Sequence, residues 1–156
     1  MTVTIIGKDR LLRKLKAFPP RAEALIRAAM VDSAEQTVSM MKSLVPVESG
    51  DLQMSISWTW GDAPKGSLKI GQIKSAQGNM RITIYAGGGD AFYARFQEFG
   101  TTPFTSGGKF AGAANPGVRA QPFFFVSARA MRKPTKGRIS RAITKAAKDI
   151  AAGGGT

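Results

Sequence analysis

The 156-residue sequence predicts an α+β fold. A long helix in the N-terminal half comes first, a block of antiparallel strands second, and C-terminal helices last. Three observations carry this. Ala22, Ile26, Met30, Ala34, Val38, Met41 and Val45 recur every three or four residues and make one continuous apolar stripe. Ile56, Trp58 and Trp60 alternate with polar residues, as do Met80, Ile82 and Ile84, which is the period of half-buried strands. Ile139, Ile143, Ala146, Ala147 and Ile150 then return to helical spacing.

Taken in order, residues 1–19 read as an N-terminal arm and short helix. Thr2 to Ile6 is β-prone, and Leu11, Leu12 and Leu15 sit at helical spacing among basic residues. Pro19-Pro20 ends that helix and can open the next. The long helix spans 20–45, roughly 35–40 Å at 1.5 Å per residue. Asp32, Glu35, Ser39 and Lys42 fall opposite its stripe, and Pro46 stops it. Gly50 permits the turn that follows. Strands are expected at Ser55–Trp60, Leu68–Ile70 and Met80–Tyr85, within a sheet region of 54–99, and a meander is the economical topology. Gly87-Gly88-Gly89-Asp90 is a hairpin loop, a commoner reading than an anion-binding nest.

Tyr93 to Phe99 fits both periods: Phe92, Phe96 and Phe99 on a helix, or Tyr93, Arg95 and Phe99 on a strand. Residues 100–120 read as a long flexible loop rich in Gly, Ala and Pro. A solvated linker has little use for Phe104 and Phe110, which either fold back on their own core or dock on a neighbouring subunit. Helices occupy 121–152, with a break or kink at Pro134, and 153–156 is a disordered tail. The length fits one domain over 1–152.

Composition excludes several chemistries. The chain has neither cysteine nor histidine, so disulfides, a zinc site of the usual ligands and a Ser–His–Asp triad are impossible. No Gly-rich nucleotide motif is present, and no cofactor or small-molecule substrate is expected. Neither a membrane span nor a signal peptide is expected. Glu48, Asp51 and Glu98 are the carboxylates within the recognisable motifs. Glu48 and Asp51 are expected to cap a turn or short helix, and Glu98 to pair with an Arg or Lys. A hydrolytic role for Glu48 or Asp51 requires that they line a pocket.

Net charge is +13, and its placement is uneven. Residues 1–30 contribute +5, residues 129–156 +7, and the centre only +1. Such a surface attracts polyanions or an acidic protein neighbour, although solvated helix faces look the same in a sequence. The last helix carries Arg138, Arg141, Lys145 and Lys148 but no Asn or Gln, which fits attraction to a nucleic-acid backbone without base readout. Trp58 and Trp60 share a strand face and read as core or interface rather than a stacking platform for bases.

Three motifs occur in order: Val45-Pro46-Val47-Glu48-Ser49-Gly50-Asp51-Leu52 with Ser55-Ile56, then Tyr93-Ala94 with Glu98-Phe99-Gly100-Thr101, then Gln121-Pro122-Phe123. Over residues 20–150 the chain resembles the phage head–tail joining or tail-completion family. This is the gene-product-ten-like group of long-tailed phages, similar in role to the lambda tail-completion protein Z. Glu48 and Ser49 stand where that family usually has Asp and Thr, and Val126-Ser127 where it has Pro-Ala. The 101–119 loop is longer and richer in glycine.

The resemblance implies a long helix packed on a small antiparallel sheet, and favours a strand from Tyr93. It implies a non-enzymatic virion protein of the neck or tail top, assembled in the host cytoplasm into a ring, a hexamer by analogy. Its partners would be sister copies, a head-closure or connector protein and the tail tube protein, with nonspecific contact to DNA in the lumen. Phe99, Thr101, Phe104, Phe110 and Phe123 would form the subunit interface. Pro46, Gly50, Asp51, Glu98, Gly100 and Pro122 would shape the motifs.

Overall fold

The computed structural model describes residues 20–48, 50–70, 80–88 and 93–151. The expected arm and short helix at 1–19, Gly89-Asp90 of the glycine loop, and the 153–156 tail lie outside the described residues.

Helix α1 runs Pro20–Leu44, as its stripe predicts. Ala22, Ile26, Met30, Ala34, Met41 and Val45 of that stripe are buried, and Val38 is half-buried. Ala29, Ser33 and Thr37 join them, so much of the inner face is small. The two hydroxyls bond within the helix, Ser33 to the Ala29 carbonyl and Thr37 to the Ser33 carbonyl, both at 2.7 Å. Burial therefore leaves them satisfied.

After α1, Gly50 takes φ 86°, and the short helix α2 spans Asp51–Ser55. Gln53 Nε2 returns to the Lys42 carbonyl at 2.9 Å, satisfying one acceptor at the open end of α1. The motif is thus a helix-to-helix corner, with Asp51 in the first turn of α2 where a carboxylate suits the helix dipole.

Strands β1 (Ser57–Trp60), β2 (Leu68–Ile70) and β3 (Ile82–Ala86) form the main sheet. The order is β1-β3-β2, with both pairings antiparallel. The expected meander is therefore wrong in one respect: β3, the last of these three strands in the chain, lies in the middle. Its sequence explains the place. Ile82, Thr83, Ile84 and Ala86 are all buried, whereas β1 and β2 carry more exposed residues and suit edges.

Helix α3 spans Ala94–Phe99, where the family resemblance favours a strand. The competing helical period prevails because residues four apart, Ala94 and Glu98, are the ones buried. Segment 100–120 is not structureless either. Phe104–Thr105 (β4) pairs antiparallel with Ala114–Asn115 (β5), with a short 3-10 turn at Gly108–Phe110 between them.

The C-terminal region is one helix, α4, over Phe124–Ala151, rather than two divided at Pro134. Both Pro134 and Ala130 are exposed, so water can bond the carbonyl that the missing N–H leaves free. α4 shares with α1 the largest interface of the fold, and Arg138 bridges them by donating to Ser33 Oγ at 2.8 Å and to Gln36 Oε1. Phe123, Phe124, Met41 and Ile56 are fully buried in the common core, with Ile82, Ile84 and Leu52 around them.

Candidate assembly surface

The second motif, the third motif and the hairpin between them meet at one joint, and Glu98 is its centre. This side chain is buried, and its carboxylate accepts N–H bonds from Phe123 (2.9 Å), Phe124 (2.8 Å) and Phe125 (3.0 Å). Those are donors of the first turn of α4, which have no intrahelical partners. The expected Arg or Lys partner is replaced by a helix N-terminus. The acceptor arrives from about 25 residues upstream, so no local capping signature could reveal it.

Two glycines fix the hairpin's root. A Cβ at Gly100 (φ +71°) would lie 2.7 Å from the Val118 carbonyl oxygen, and one at Gly117 (φ +76°) 2.3 Å from that of Thr101. The absence of side chains lets the two chains touch, and Thr101 and Val118 exchange backbone bonds at 2.8 and 3.3 Å. Thr101 Oγ1 also accepts from Val118 N at 2.9 Å, and Gln121 N donates to the Gln97 carbonyl at 2.8 Å. From this root the hairpin extends with most of its residues exposed, Phe104 at 53%. Phe104 thus does not fold back on the core. The side chain of Phe110 lies outside the described residues.

Beside the root is an apolar groove of about 600 Å³, lined by Phe99, Pro122, Phe125, Ala128, Arg129 and Arg132, with the capping carboxylate of Glu98 at its base. Phe99 is 63% exposed and lies on Phe125, their ring centroids 5.8 Å apart. Phe123, grouped with Phe99 as an interface residue, is instead wholly inside the core and offers no surface. Phe125, Arg129 and Arg132 belong to no sequence motif, although their three- and four-residue spacing puts them on one helix face.

Glu48 and Asp51 line a cleft of about 320 Å³ together with Pro46, Leu52, Tyr93 and Gln97. Both carboxylates are exposed. Among the described residues no group of acidic side chains could hold a metal ion. Close by, Leu44, Val47 and Met54 are unusually exposed for apolar side chains. Of the expected DNA-facing cations, Arg141, Lys145 and Lys148 are exposed on α4, while Arg138 is half-buried and committed to α1. Trp58 and Trp60 meet edge-on at 6.1 Å, and the Arg27 guanidinium lies 5.2 Å from the Trp60 ring centre, so these rings serve the contact between β1 and α1.

A family model described as "Bacteriophage HK97-gp10, putative tail-component" matches residues 9–100, more than half of the chain. The chain belongs to the HK97-gp10-like family. The match contains the corner at Pro46–Leu52 and all of α3, and it ends at Gly100, where the hairpin begins. Neither the curated proteins nor the solved structures include a match. Family membership makes the chain a component of a phage tail, and hence of a virion. Among the described residues no helix is long and apolar enough to cross a membrane.

Proposed function

We propose that this protein is a non-catalytic ring subunit of the phage neck or tail top, which completes or terminates the tail and joins it to the head connector. The observation that carries the reading is the hairpin with its exposed Phe104, held out from a root that is rigidly fixed to the core. An ordered, outward arm with an apolar side chain is suited to clasping a neighbour, and its rigid root lowers the entropy lost on binding. A ring repeats one heterologous contact around an axis, so each subunit needs a projecting element and a receiving surface that differ from one another. Phe104 lies on the projecting hairpin and Thr101 at its root, whereas Phe99 lines the groove beside it. The tail tube and connector proteins would meet the two faces of the ring.

Exposed Arg141, Lys145 and Lys148 favour a secondary contact with DNA in the lumen, acting through charge alone. Sedimentation and negative-stain microscopy of the purified protein test the reading. Annular particles are expected, and a monomer at every concentration and salt would end it. A monomer that retains duplex DNA at about 150 mM salt would instead support a nonspecific DNA-binding protein.

A further inference from the structure

Two surfaces described above complement each other in polarity and charge. One is the corner between α1 and α2, beside the cleft that Glu48 and Asp51 line. Leu44 (46% exposed), Val47 (60%) and Met54 (70%) project there, with exposed Glu48 and Asp51 among them. The other is the concave groove over Phe99 and Phe125, with Arg129 and Arg132 at its rim. Each has an apolar centre that water solvates poorly. The corner carries two carboxylates and the groove two guanidinium groups, the Glu98 carboxylate in its lining being held by three backbone N–H groups. Among the described residues, Glu48 forms no ion pair with Arg129 or Arg132 of its own chain.

We infer that the corner of one copy of this chain seats in the groove of another, with Val47 and Met54 against the Phe99–Phe125 pair and Glu48 facing Arg129 and Arg132. This rests on the self-assembly reading above and names the surfaces that would meet. The net charge of +13 makes the choice of occupant informative. Two such copies repel at long range, so a self-contact must bring the few acidic groups against cations. In the corner, exposed acidic and large apolar side chains lie close in the chain, within residues 44–54. Apolar burial supplies attraction, and the charges fix register and exclude other pairings. A DNA strand would use the arginines but leave the apolar floor without a partner.

The test is a charge swap. Glu48→Arg/Asp51→Arg reverses the corner, and Arg129→Glu/Arg132→Glu reverses the groove. Each variant alone should sediment as the 16.6 kDa monomer. An equimolar mixture should recover assemblies of wild-type size, because each reversed surface then meets its complement on the other variant. That recovery also demonstrates that both variants fold. If the wild type assembles and either single-surface variant does so equally well, the pairing is wrong while self-assembly stands. If the wild type never assembles, both ideas fall. If the mixture stays monomeric although circular dichroism shows both variants folded, the pairing is likewise refuted. Unchanged assembly with loss of duplex-DNA retention in Arg129→Glu/Arg132→Glu would assign the rim to a polyanion and overturn the inference.

Discussion

At the scale of single residues, Glu98 holds more together than any other charged side chain described. Its carboxylate occupies the N-terminus of α4, where backbone donors and the helix dipole both favour negative charge. Removing it strands N–H groups in a dry environment. Glu98→Ala is expected to cost about 2–4 kcal/mol, and Glu98→Gln, which keeps an acceptor, about half as much. Urea unfolding of the three proteins measures both values. Equal stability of all three would mean that the cap is not needed. Gly117 is the second such position: a methyl group there would meet the Thr101 carbonyl oxygen at 2.3 Å in a backbone conformation already unfavourable for alanine. Gly117→Ala should therefore open the Thr101–Val118 bridge. Faster amide hydrogen exchange at Thr101 and Val118, with β3 unchanged, is the expected readout.

At the scale of elements, legibility followed the range of the forces. α1 was readable because its stripe is long and regular, and α4 was readable beyond Pro134 for the same reason. Strand positions were readable from alternation, but their order was not, since nothing local says which strand becomes central. The burial of β3 on both faces is the cue that its Ile82-Thr83-Ile84 run offered. α3 was misjudged because the aromatic residues that dominate its pattern, Phe96 and Phe99, point outward, while its buried positions are an alanine and a carboxylate. The joint depends on contacts across some 20 residues and was invisible to any periodicity. Pro134 leads to a prediction of its own. It lacks an N–H inside an otherwise regular helix and is exposed, so Pro134→Ala should stabilise the protein by about 1–3 kcal/mol. A higher melting temperature is the readout, and a lower one would point to an unrecognised role for the ring.

At the scale of the whole molecule, the core that gives stability and the surfaces proposed for assembly lie in different places. The core lies among α1, α4 and the sheet, whereas the hairpin adds exposed surface and the groove and corner remain uncovered. Replacing residues 103–116 with a short Gly-Ser turn should change the stability of the monomer by less than about 1 kcal/mol, because the described side chains among them bury little. The same change should abolish annular particles if the arm clasps a neighbour. Denaturant midpoint and microscopy on one preparation separate the two effects. Particles that persist without the arm would transfer the whole contact to the corner and groove. Those interfaces should weaken as salt rises, since the charges that set their register are exposed and screened.

The way the hairpin is fastened has an implication for how such a subunit diversifies. Chain entry and exit are tied at Gln97–Gln121 and Glu98–Phe123 before the projecting residues begin, like the two ends of a strap buckled to one post. What is strung between the fastenings can lengthen, shorten or change composition with no adjustment inside the post. A lineage adapting to a differently sized neighbour therefore has a site where trial and error carries little folding risk, and an engineer has a place to splice in a foreign epitope.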